Sequence, residues 1–112
     1  MDDAAFQRGV TDARADIGTG ASRYFAGTRG SWGQMFTRLV RERFGVEVVH
    51  IDCFTDEERS SYEAGYNGTI VSHLSHRFGA GAFDRVWEEV QEYRQEQYQS
   101  WLAARDTDQE AR

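Results

Sequence analysis

Val46, Glu47, Val48, Val49, His50, Ile51, Asp52 and Cys53 form the clearest strand signal in this chain. A strand leaves a row of backbone donors and acceptors along each edge, so it cannot be buried alone. Whatever the chain folds into must supply a partner. Two solutions are open. Residues 22–26, a short run flanked by glycines, can lie parallel to the strand, with the intervening helix as a right-handed crossover. Otherwise the strand pairs with its own copy across a dimer axis. Both faces of 46–53 are mainly apolar, which predicts cover on both sides.

The rest of the chain reads as helix. Phe6, Val10, Ala13 and Ile17 recur at three- and four-residue spacing and predict a first helix, begun by Asp2 or Asp3 and stopped by Gly18 and Gly20. Ser31 is the expected cap of a second helix, with Trp32, Met35, Phe36, Leu39 and Val40 inward and Gly45 just past its end. Thr55 with Glu58 makes a capping box for a third helix reaching about Phe78. Tyr62, Tyr66, Thr69, Ile70, His73, Leu74 and Arg77 share one side of it.

Gly65 and Gly68 interrupt that third helix, and each costs about 1 kcal/mol against Ala in a helix interior. Phe6 precedes Gly9 by the same spacing that Tyr62 precedes Gly65. The match predicts that the first and third helices cross tightly at these glycines. A fourth helix runs from about Ala82 to Arg105, with Phe83, Val86, Trp87, Val90, Tyr93 and Trp101 on one stripe. Its length outreaches so small a domain, so Tyr98, Trp101 and Leu102 are candidate contacts to a second chain. The expected fold is thus α+β and mainly helical: four helices, one or two short strands, a domain over 1–105 and a frayed polar tail at 106–112.

Composition narrows the function classes. At 112 residues the chain is one domain with enough apolar and aromatic material for a core without cross-links. Cys53 is the only cysteine, so no internal disulfide forms; this and an N-terminus without a signal-peptide pattern predict a cytoplasmic protein. Every basic residue is Arg, which fits GC-rich coding in a prokaryote or phage. The net charge of −6 argues against coating nucleic acid, and no apolar stretch is long enough for a bilayer. Arg23, Arg29, Arg38, Arg41 and Arg43 face only Glu42 in the basic middle of the chain, which acidic flanks can neutralise on folding.

Three constellations bear on chemistry. His50 and Cys53, followed by His73 and His76, have the paired spacing of a zinc site. Strand geometry opposes it, because His50 and Cys53 point to opposite faces unless the chain bends at Asp52. The plainer reading leaves the histidines hydrogen-bonded or exposed and no cofactor bound. Arg29 and Ser31, in a glycine-rich loop before a helix, are a candidate anion site, though no P-loop lysine is present. Cys53 before a helix start can be activated as a nucleophile, but no catalytic signature accompanies it. The expectation is therefore a protein-binding or regulatory module acting as a homodimer and not an enzyme. The alternatives are a metal protein or small enzyme at the His/Cys set, or an anion or nucleotide binder at the loop.

Overall fold

The computed structural model describes residues 1–51 and 56–110, with 107–110 described by backbone alone. Among these, the order is α1 (Asp3–Thr19), β1 (Arg23–Ala26), α2 (Gly30–Phe44), β2 (Glu47–His50), α3 (Glu57–Phe78) and α4 (Ala82–Glu110). This is the expected α+β, mainly helical architecture.

The strand found its partner within the chain. β1 and β2 pair in parallel with Arg23 opposite Glu47 and Ala26 opposite His50, and α2 is the crossover between them. The outer edge of β1 is closed by side chains of α3. Asn67 Oδ1 accepts the Phe25 N–H at 2.9 Å, Asn67 Nδ2 donates to the Phe25 carbonyl at 2.8 Å, and Tyr66 Oη accepts the Arg23 N–H at 3.1 Å. One amide thus does for β1 what a third strand would do. The expected two-sided cover of the second strand is only partial: Val48 and Val49 are half-buried, and Glu47 and His50 are exposed.

The helix ends follow local chemistry, with two departures. Asp2 caps α1 by accepting the Ala5 N–H, and Gly20, in the left-handed region, closes it. For α3 the cap is Asp56, which accepts the Arg59 N–H at 2.8 Å; Thr55, the expected cap, lies outside the described residues. For α2 the expected cap Ser31 sits exposed inside the first turn, Arg29 is the N-cap, and no side chain caps the helix. The loop is fixed another way. Gly33 packs so closely on Thr28 that a Cβ there would lie 2.4 Å from the Thr28 carbonyl carbon.

Phe36, Val40, Val46, Tyr66, Ile70, Leu74, Val86 and Val90 are the largest fully buried side chains. Each such residue contributes about 1.5–3 kcal/mol by leaving water. Aromatic contacts bind α2 to α4: Phe36 stacks on Trp87 at 4.2 Å between ring centroids and meets Phe83 edge-on. Tyr24 of β1 joins the same cluster.

α1 lies outside most of this core and packs on α3. Their contacts advance together along both helices, as with Asp2 on Ser61 and Asp16 on Tyr66, so the two run parallel. The expected glycine crossing is present. A Cβ on Gly9 would lie 2.1 Å from the Tyr62 carbonyl oxygen, and one on Gly65 2.1 Å from that of Phe6. α3 continues unbroken through Gly65 and Gly68. Of the apolar stripe predicted for the first helix, only Ala13 enters this seam. Ala5, Gly9 and Ala13 fill the seam, and Phe6, Val10 and Ile17 are half-buried beside it. Backbones this close leave room only for small residues between them.

Candidate functional site

α4 changes character along its length. Ala82, Phe83, Val86 and Val90 are buried, and Tyr93 is half-buried. Arg94 lays its guanidinium 5.2 Å from the centre of the Trp32 ring, on the body of the molecule. From residue 94 to 101 every side chain is exposed. The helix nevertheless continues to Glu110, past the end expected near Arg105. Residues 95–110 therefore project about 24 Å at 1.5 Å per residue. The molecule measures 60 × 32 × 19 Å with a radius of gyration of 17.6 Å. A globular domain of this length has about 13 Å.

On that projecting half, Tyr98 and Trp101 stack at 6.1 Å, and Arg105 covers the Trp101 ring at 5.3 Å. Both aromatics are 54% exposed, and Leu102 is half-buried beside them. Helical spacing aligns Tyr98, Trp101 and Arg105 on one stripe. Glu92 and Glu96 stand on the same exposed stretch. The arrangement is an apolar ridge with polar margins.

The other sequence candidates do not gather. His50 Nδ1 accepts the Thr28 N–H at 3.0 Å, which puts the ring proton on Nε2 and ties the end of β2 to the loop before α2. His73 and His76 lie on α3, facing α1. Cys53 lies outside the described residues. Among the described residues no group of three or more His, Cys, Asp or Glu side chains could hold a metal. Arg29 and Ser31 are exposed at the start of α2, and the loop they close is already anchored through Gly33 and His50.

Sequence reasoning missed a polar network on one flank of the α1–α3 pair. Tyr62 donates to Asp12 and Tyr66 to Asp16, each at 2.6 Å, and Arg23 Nη2 reaches Asp16 at 3.3 Å. Burial, reinforced by the Asp12 hydrogen bond, pushes the Tyr62 phenol up to about 12. Tyr66 is raised for the same two kinds of reason, with Asp16 as its acceptor. Asp12 and Asp16 share the four-residue spacing of Tyr62 and Tyr66, a signal readable only once the helices are known to be parallel. The network is a structural clasp between neutral phenols and carboxylates.

Among the described residues no helix is long and apolar enough to cross a membrane. Comparison with family models, with curated proteins and with solved structures gave no match.

Proposed function

We propose that the protein works as a protein-binding module, with the outer half of α4 as its contact surface and a second copy of the chain as the partner. The observation that carries this reading is the projection of residues 95–110 beyond the Arg94 contact with Trp32, with Tyr98 and Trp101 stacked and exposed on it. An isolated helix of this length is marginal in water, and most helices owe their stability to a packed apolar face. A partner laid along the ridge supplies that face. Two copies of one ridge are complementary under a two-fold axis, the commonest symmetry of small assemblies.

Sedimentation equilibrium of the full chain tests this. The expected result is a dimer that a Trp101→Ala, Tyr98→Ala double variant converts to monomer, with the thermal midpoint of the monomeric body unchanged. A wild-type chain that stays monomeric at every concentration reached removes the second copy as partner. A dimer indifferent to the double variant removes the ridge.

A further inference from the structure

The flank of the α1–α3 pair opposite the tyrosine clasp is an open groove of about 540 Å³. That volume lies within the roughly 300–1,000 Å³ typical of small-molecule sites. Phe6, Val10 and Ile17 line its α1 wall. Phe6 and Val10 stand apart from the main core, so their exposed apolar surface serves no packing that the core requires. On the α3 wall, Gly68 opens the floor. Unlike Gly9 and Gly65, it meets nothing: a Cβ there would have open space within 4 Å. A mid-helix glycine costs about 1 kcal/mol against Ala. No close approach inside the molecule accounts for this one, and it faces the groove.

Arg14 is the charged side chain that lines the groove, beside the neutral hydroxyls of Thr69 and Ser72. His73 and His76 line it too, and among the described residues no carboxylate does, in a chain with 19 acidic residues. Because the two helices run parallel, the groove is polarised. Phe6, Val10 and Gly68 lie toward one end, and Arg14, His73, Ile17 and His76 follow toward the other. The span from Phe6 to Ile17 is about 16 Å of helix.

We propose that this groove binds an amphipathic anion: a carboxylate on an apolar body, with the body over Gly68 beside Phe6 and Val10 and the acid at Arg14, His73 and His76. Arg14 supplies a permanent charge with paired donors, and the imidazole N–H groups complete the acid's hydrogen bonds. The site is independent of the α4 ridge.

Octanoate titrated into the full chain, followed by amide chemical shifts, tests it, with acetate and octanol as controls for the acid and the body alone. The expected result is saturable octanoate shifts centred on Val10, Gly68 and His73, with neither control moving them at equal concentration. Gly68→Leu, whose Cβ meets nothing within 4 Å, places its side chain in the groove and abolishes the shifts. Arg14→Gln, on an exposed position, weakens octanoate about tenfold, the loss of one charged hydrogen bond. No shifts on this face, shifts spread over Tyr98 and Trp101 instead, or shifts unchanged in both variants overturn the proposal.

Discussion

The two flanks of the α1–α3 pair belong to the same helices and share the same seam, yet one is closed and the other open. On the closed flank Asp12 and Asp16 are clasped by Tyr62 and Tyr66, and Arg8 pairs with Glu58 further along. On the open flank Phe6 and Val10 face Gly68 across a groove. The difference lies in side-chain length. Tyrosine spans the gap that a close backbone crossing creates, whereas glycine leaves it empty. A tight seam therefore leaves each flank either bridged by long side chains or available to a ligand.

The sharpest way to break the comparison is at the seam both flanks depend on. Gly65→Ala drives a Cβ to 2.1 Å from the Phe6 carbonyl oxygen, so the helices must separate. The expected loss is about 3 kcal/mol, at the upper end of overpacking costs, read as a fall in the urea midpoint. A variant as stable as wild type would mean the seam is looser than described. Gly68→Ala, one turn along on the open flank, goes the other way. With space around the new methyl and a better helix former, stability rises by about 1 kcal/mol. The opposite signs of two identical substitutions, three residues apart, are the test of seam against groove.

The smallest effect concerns the closed flank at high pH. Tyr62 ionises at about 12 in the fold, above the ordinary value of 10. A phenol raised in this way contributes stability that is complete below its unfolded pKa and is lost as pH climbs through the folded one. The chain should therefore weaken between about pH 10 and pH 12. Tyr62→Phe should flatten part of that alkaline limb in urea titrations, and Tyr66, raised likewise, should keep the rest. An alkaline limb identical in the two proteins would remove Tyr62 from the clasp.

Much of the fold was legible because it rests on local signals. The periodicity of Phe36, Leu39 and Val40, the glycines after the helices, and the demand of one strand for another all act over a few residues. The glycine crossing was legible from matched spacing in two helices. The outer half of α4 was legible as a candidate surface because its length exceeds what a domain of this size can cover. Neither the clasp nor the groove could be read, since each depends on whether α1 runs parallel or antiparallel to α3. The stripe of Phe6, Val10, Ala13 and Ile17 shows how far a local signal reaches: Ala13 is buried in the seam, and the three larger residues are half-buried beside it. Periodicity identifies an apolar face but not how near the neighbouring backbone comes, and at Gly9 it comes too near for large residues.

By itself the sequence determined the helices, the 22–26 and 46–53 pairing as one of two options, and the small residues that let α1 meet α3. Hydrophobic period and chain connectivity are properties of neighbours along the chain, so they survive without coordinates. Only the tertiary structure decided the direction of α1 against α3, the closing of β1 by Asn67, and which aromatics were left outside the core. Those outcomes turn on side chains 42 to 50 residues apart competing for the same space, and no local rule ranks such competitors.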